Sequence, residues 1–362
     1  MKRGLLLCAL LMACAQKAKP TSPTSSNQDE AGKEDGGNPA QGSGGGGVSS
    51  LAGNGGAAIE AGQPPTPDNF NDSGCTHPPV TASCADGWCE IPAGCFVMGS
   101  PEAEWEHAPQ EQRVKVTLTH RFVISEHEVT QAQWTDLGLP NPSKLMNGEG
   151  DCAESTCPVG NANWFEAASY ANLLSEQQGL ESCYQLKGCV GEIGKGASGL
   201  VCDDFSVTSK TIYDCAGYRL PTDPEWEYAA RAGSRTAFYA GEMTTHSAVG
   251  VCVTEPKLNN IAWYCQNSGK TTREVARLTA NDWGLFDMLG NAMEWAHDQS
   301  GWVPSGDAAT DPDQSYGPGQ GRDTRGGGYF GWPGACRAAA RVGLSAGFRS
   351  PGLGFRLVRT LK

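Results

Sequence analysis

Arg219-Leu220-Pro221-Thr222-Asp223-Pro224-Glu225-Trp226-Glu227-Tyr228-Ala229-Ala230-Arg231 is the segment from which the architecture of this chain is most readily read. Thr222 precedes the run, Pro224 falls in its first turn, and Glu225 stands three residues after Thr222. A threonine hydroxyl there accepts from the third amide while the glutamate reaches back to the cap amide, and proline is tolerated because its missing N–H would be unpaired anyway. The segment predicts a helix starting at Thr222. Upstream, Asn163-Trp164-Phe165-Glu166-Ala167 opens a second helix running to about Gln178, with Ala167, Tyr170, Ala171 and Leu174 at helical spacing. Thr130 caps a third start, Thr130-Gln131-Ala132-Gln133-Trp134. Nearer the N-terminus the period changes. Val114-Lys115-Val116-Thr117-Leu118-Thr119 alternates as a half-buried strand should, Phe122-Val123-Ile124 follows as another, and Phe96-Val97-Met98-Gly99-Ser100 is an apolar run ending in a turn. Residues 183–215 hold four cysteines, several glycines and short alternating pieces such as Phe205-Ser206-Val207, and read as a disulfide-stapled insertion. Beyond residue 232 come loops, short strands and glycine-rich turns with no repeat of fixed period. The fold class expected is an irregular, disulfide-rich α+β domain with little regular structure, spanning 75–362.

What precedes that domain is of a different kind. Met1-Lys2-Arg3-Gly4 is a basic start, and Leu5 to Ala13 is an apolar run of nine residues, too short to span a bilayer. It ends Leu11-Met12-Ala13-Cys14, which has the form of a bacterial lipobox in which the Cys14 thiol receives the lipid. Residues 1–14 are therefore expected to be a lipoprotein signal peptide. Residues 15–74 are rich in Gly, Ser and Pro, with Gly-Gly-Gly-Gly at 44–47. So few apolar groups cannot offset ordering entropy, so the segment reads as a disordered tether. As a flexible coil of roughly 55 residues it reaches about 40 Å. The expected location is the cell envelope, exported and attached to a membrane through the N-terminal lipid. The net charge of -13 repels phosphate backbones and excludes nucleic acid as a partner, while suiting solubility or cation binding.

The chain has fifteen cysteines. With Cys8 in the signal and Cys14 lipidated, thirteen remain, a density that implies disulfides in an exported protein. No Cys-x2-Cys pair suggests zinc. Twelve lie near a neighbour in sequence, as in Cys89/Cys95, Cys152/Cys157 and Cys252/Cys265, and the connectivity stays open. The odd count leaves one thiol over, and the isolated Cys336 is the candidate. The six histidines form no metal-binding spacing, and no Gly-x-Ser-x-Gly phrase offers a hydrolytic serine. Arg219, Arg231, Arg341 and Arg356 are expected to pair with buried carboxylates and carbonyls. The ten tryptophans are expected in the core.

Six phrases in one order carry a resemblance. They are Ile91 to Ser100, Glu128 to Trp134, Tyr218 to Gly233, Gly284-Leu285-Phe286-Asp287-Met288-Leu289-Gly290-Asn291-Ala292-Met293-Glu294-Trp295, Arg325-Gly326-Gly327-Gly328-Tyr329, and Gly352-Leu353-Gly354-Phe355-Arg356. Together, across about 270 residues, they resemble the formylglycine-generating enzyme, or sulfatase-modifying factor, family. The resemblance implies that family's irregular variant of the C-type-lectin architecture. It also implies an oxidase that converts a cysteine of an unfolded substrate to formylglycine with oxygen and copper, the copper held by two cysteines in a Cys-x4-Cys arrangement. Two soft thiolates suit monovalent copper. Counted forward from Gly326-Gly327-Gly328-Tyr329, the two positions hold Gly331 and Cys336; counted backward from Arg337-Ala338-Ala339-Ala340-Arg341, the second position is Pro333. Either way one thiolate is missing, which disfavours copper and leaves Cys336 as the sole candidate catalytic residue, against a reading of it as a small packed hydrophobe.

The resemblance further implies structural calcium at Asp287, Gly290, Ala292 and Glu294, where carboxylates and main-chain carbonyls supply the oxygens a hard cation requires. Asn260 and Ile261 match the start of a second calcium site whose downstream half is not evident. The expected function is that of an atypical or inactive member of the family, exported and lipid-anchored, that binds a peptide, a glycan or an envelope protein. The alternatives are the formylglycine-generating oxidase itself and an oxidase using other ligands.

Overall fold

The structure, a computed structural model, describes residues 70–145, 152–314 and 321–362. The expected signal peptide, Cys14 and nearly all of the tether lie outside the described residues. In chain order the strands and helices begin with β1 (Cys84–Ala85), β2 (Trp88–Ile91), β3 (Gly94–Met98), β4 (Val114–Leu118), β5 (Phe122–Ser125), α1 (Gln131–Asp136), α2 (Trp164–Gln177), β6 (Tyr184–Lys187), β7 (Asp204–Val207) and α3 (Asp223–Arg231). They continue with β8 (Met293–Gln299), β9 (Ala308–Thr310), β10 (Gly321–Arg325), β11 (Arg341–Ser345), β12 (Leu353–Gly354) and β13 (Val358–Thr360). No described helix is long and apolar enough to cross a membrane.

Each helix begins where its cap was read. Thr130, Asn163 and Thr222 accept from the amides of Gln133, Glu166 and Glu225, and those three side chains return to the cap amides. The sheets then join distant parts of the chain. One has the order β1-β2-β5-β13, so the C-terminal strand closes against the first ones. A second, β11-β10-β8-β12, forms the other main layer, with β12 parallel to β8. A third is β3-β4-β9, and β6-β7 is the hairpin of the insertion. Two apolar clusters fill the interior. The first gathers Val116, Phe122, Trp226, Tyr228, Trp283 and Cys336 around α3. The second gathers Trp134, Trp164, Phe205, Trp295 and Phe355 around α2 and β8. Trp134, Trp164, Trp226, Trp283 and Trp295 are fully buried, as expected of core aromatics; Trp105 is not.

Buried ion pairs tie these layers together. Asp223 and Glu227, one turn apart on α3, face Arg325 and Arg341 of β10 and β11: Arg325 Nε lies 2.6 Å and Arg341 Nη1 2.8 Å from Asp223, and Glu227 also takes Arg231 at 2.8 Å. Arg219 donates twice to Glu225, at 2.6 and 2.7 Å, and Arg356 three times to Glu294. These are the roles expected of Arg219, Arg231, Arg341 and Arg356. They also explain why β8 is buried through Asp298 although its sequence carries Glu294, His297 and Asp298. A charge in the interior persists only when paired and hydrogen-bonded.

Six disulfides are present: Cys75–Cys95, Cys84–Cys89, Cys152–Cys157, Cys183–Cys215, Cys189–Cys202 and Cys252–Cys265. The insertion is stapled twice, as read. The neighbours Cys89 and Cys95 do not join each other; β1 brings Cys84 opposite Cys89 across a tight hairpin, which leaves Cys95 to Cys75. Cys336 is the one free thiol among the described residues.

Candidate functional site

Cys336 ends the short turn Pro333–Cys336, which follows the glycine run 326–328. Its side chain is 0% exposed. The glycines permit this packing. Gly327 sits at a φ of +70°, and a Cβ added to it would lie 2.9 Å from Cys336 Sγ. Gly331 faces the same sulfur, and its added Cβ would be 3.3 Å away. Gly327 and Gly331 are thus two glycines packed against the Cys336 sulfur, and neither can offer it a second thiolate. Burial pushes the Cys336 thiol up to about 12, with the charge of Glu106 acting the same way and a hydrogen bond at the Gly328 backbone opposing them. At neutral pH it is a protonated, enclosed thiol, the opposite of an activated one.

An acidic loop covers this centre. Arg337 Nη1 donates to Glu104 at 2.6 Å and to Glu111 at 2.7 Å, and its Nη2 donates to the Glu106 carbonyl at 2.6 Å. Trp332 Nε1 donates to the Glu106 carboxylate at 2.7 Å. Nothing in the sequence marks residues 101–112 as this cover, since the contacts span the whole domain.

A second cluster contains the residues expected for calcium. Asp287 and Asn291 adopt left-handed φ values of +54° and +52°, and with Gly290 at +80° they wind the chain tightly between the two main sheets. Asp287 Oδ2 accepts from the Ala276 amide at 2.7 Å, while Oδ1 is buried without a partner. Glu128, near enough for the Asp287 charge to act on it, is fully buried; its Oε1 accepts from the Ala292 amide at 3.1 Å and its Oε2 has no partner. Burial raises the Glu128 carboxyl well above its ordinary value, and the charges of Asp287 and Glu294 add to the rise. Asp287 is pushed up to about 6, chiefly by burial, against the Ala276 hydrogen bond and Arg356. Each leaves one buried carboxylate oxygen unmatched, a condition that a cation or a proton relieves. Glu294 lies in the same cluster, but Arg356 and Trp226 already hold both of its oxygens. The open donors are thus Asp287 and Glu128. The sequence reading missed Glu128, although it stands in one of the quoted phrases.

Asn260 and Ile261 are differently placed. The Asn260 carbonyl accepts from the Thr279 amide at 2.9 Å and the Ile261 carbonyl from the Tyr239 hydroxyl at 3.3 Å. Both are neutral oxygens already engaged. Cys84, Cys89 and Glu126 bring three ligand atoms within 4.8 Å of one another, but the two sulfurs are bonded to each other. Among the histidines, His120 lies between Glu225 at 3.0 Å and Asp311 at 3.2 Å; these hold it protonated, up to about 9, against the opposing effect of burial.

Comparison with known proteins agrees with the phrases quoted above. Residues 77–361 match the family described as the sulfatase-modifying factor enzyme 1-like domain. The chaperone protein LppX of Paenibacillus barcinonensis is 29% identical over 198 residues, which are 50% of this chain and 62% of that protein, less than two thirds of its length. The formylglycine-generating enzyme of Streptomyces coelicolor is 28% identical over 75% of this chain and 88% of its own. Among solved structures, Treponema denticola variable protein 1 superposes with a TM-score of 0.58 at 31% identity, covering 75% of this chain and 94% of that one.

Proposed function

We propose that this chain, which belongs to the sulfatase-modifying factor enzyme 1-like family, acts as an exported, lipid-anchored binding protein for an envelope or extracellular polypeptide rather than as a copper oxidase. One observation carries the reading: glycine at 331 faces the buried Cys336 sulfur, 3.3 Å from where its Cβ would be. The copper that the family implies requires two thiolates, and the residues present do not fit it. The protonated state of Cys336 points the same way. A relative named as a chaperone, LppX, supports a role in which the domain holds another polypeptide. The basic and apolar start, the Cys14 lipobox and the Gly/Ser/Pro-rich segment after it support attachment to a membrane, with the domain about 40 Å clear of it.

Calcium fits the second cluster. Asp287 and Glu128 would hold it through their orphaned oxygens, and a bound ion would neutralise two repelling carboxylates and fix the turn at 287–291. Its role there is structural.

The test is oxygen uptake by the purified full chain with a cysteine-containing peptide and Cu(I). The expected result is no uptake above background. Conversion of the peptide cysteine to an aldehyde would overturn the reading and restore the oxidase.

A further inference from the structure

Among the described residues six large apolar side chains are exposed, and three of them lie on two segments that are joined through Ser247: Trp105 at 42%, Val249 at 56% and Val251 at 45%. Their arrangement is braced. Trp105 stacks on His246 with ring centroids 4.4 Å apart and planes 6° apart, and its Nε1 donates to the Ser247 carbonyl at 3.2 Å. Ser247 Oγ donates to the Val251 carbonyl at 3.3 Å, so the turn that presents Val249 and Val251 is closed on itself. The next residue, Cys252, is bonded to Cys265, whose amide donates to the Gly331 carbonyl at 3.0 Å. Trp332 then reaches Glu106, the neighbour of Trp105. The circuit is a rim of fixed apolar groups.

Large exposed aromatics held rigid at the surface are the usual anchors of protein interfaces, because little side-chain entropy remains to be lost on binding. One face of Trp105 is taken by His246, and the side chain as a whole remains 42% exposed. Exposed Glu102 lies three residues before it, and the chain as a whole carries a net charge of -13. An exposed indole near a free carboxylate on an acidic surface favours a guanidinium or ammonium group, through its quadrupole and through charge. The same acidity disfavours a second copy of this chain.

We propose that the rim formed by Trp105, His246, Val249 and Val251 docks an extended segment of a partner polypeptide in which basic and β-branched side chains alternate, the basic group over Trp105 and the apolar ones against the valines. This rests on the partner-binding reading above, and it assigns that activity to a surface independent of Cys336.

The test uses the purified full chain and a fluorescein-labelled peptide of alternating arginine and valine, followed by anisotropy at physiological salt. The wild type is expected to bind it. Trp105→Ala is expected to weaken binding by about tenfold. Glu102→Lys, at an exposed position where folding is not at issue, is expected to weaken it in the same direction. Val201→Ser, on the exposed pair of the insertion, should leave it unchanged, and a peptide with glutamate in place of arginine should bind more weakly than the basic one. Equal binding by wild type and Trp105→Ala overturns the site but leaves the partner-binding reading standing. No binding of the basic peptide overturns the inference, and so does concentration-dependent self-association abolished by Trp105→Ala, which would make a second copy the occupant. Oxygen uptake in the earlier assay, by contrast, overturns the reading itself.

Discussion

Replacing Gly331 by cysteine should convert the lone thiol into a bridge. A disulfide places the Cβ of one cysteine about 3 Å from the sulfur of the other. The Cβ position at Gly331 is 3.3 Å from Cys336 Sγ, so closure requires a shift of a few tenths of an ångström. Closing so short a loop removes about 2 kcal/mol of unfolded-state entropy. Against this, the new Cβ would crowd the Gly328 carbonyl and amide at 3.0 and 3.2 Å, costing about 1 kcal/mol. The net change in stability is small, about 1 kcal/mol in favour of the bridged form, so thiol content is the better readout. Unfolded without reductant and alkylated, the wild type should yield one modified cysteine within residues 75–362, Cys336, and Gly331→Cys none there. Pro333→Cys, the position that backward counting selects, should yield two. A Gly331→Cys protein that keeps both thiols after air oxidation, with a bridged Pro333→Cys beside it, would refute the pairing of 331 with 336 and with it the basis for excluding copper.

The remaining predictions concern charge. At a hundredfold excess over its Kd, calcium should stabilise the wild type by about 3 kcal/mol in urea titrations; Asp287→Asn and Glu128→Gln should each lose that increment, yet exceed the wild type in chelator because one of two repelling carboxylates is gone. Glu227 is buried, which alone would raise its pKa, but Arg231, Arg325 and Arg341 hold it down to about 2. Its contribution is complete above 4.5 and lost as pH falls through about 2, and Glu227→Gln, which leaves those arginines facing a neutral group, should cost about 3–5 kcal/mol in urea unfolding at neutral pH. Asp323 has the opposite sign: burial and then Asp223 push it up to about 7 against Arg341 and Arg325, so its contribution is complete below 3.8 and lost as pH rises through about 7. Asp323→Asn should flatten the fall in stability across that window, about 1 kcal/mol per pH unit in the wild type, measured by thermal melts. Arg337→Met frees the loop carrying Glu104, Glu106 and Glu111, and should speed labelling of Cys336 by a thiol reagent about tenfold at neutral pH without changing its end point.

The three helix starts were legible because a cap is a local device: Thr222 and Glu225 find each other within one turn, whatever surrounds them. Cysteine parity was legible for a similar reason, since counting requires no geometry. Pairing was not. Cys89 and Cys95 are near in sequence but lie on different strands, β2 and β3, and the hairpin from β1 gives Cys89 to Cys84 instead. Strand β8 escaped the reading because its alternation is overwritten by Glu294, His297 and Asp298, residues that appear solvent-facing by type. Each is buried by a partner from a distant segment: Arg356 for Glu294, Asp313 for His297, and the Asp223 amide for Asp298.

The same distinction separates the two centres. The copper argument needed only the identity of one residue: either count leaves one thiolate missing, and the structure adds that the glycine at 331 packs against the Cys336 sulfur. The calcium argument needed a set of oxygens, and a set is a tertiary property. Gly290 and Ala292 mark the turn, but whether a carboxylate beside them is open depends on its competitors. Arg356 donates to both oxygens of Glu294, which a phrase alone would rank as the stronger ligand, while Glu128 arrives from the segment before α1 with one oxygen unmatched. Burial makes that unmatched oxygen costly unless a cation or a proton joins it. Glu128 is thus the residue that most needs an ion or a proton, and chelation should be felt first where its one bonded oxygen leads, at the Ala292 amide just before β8.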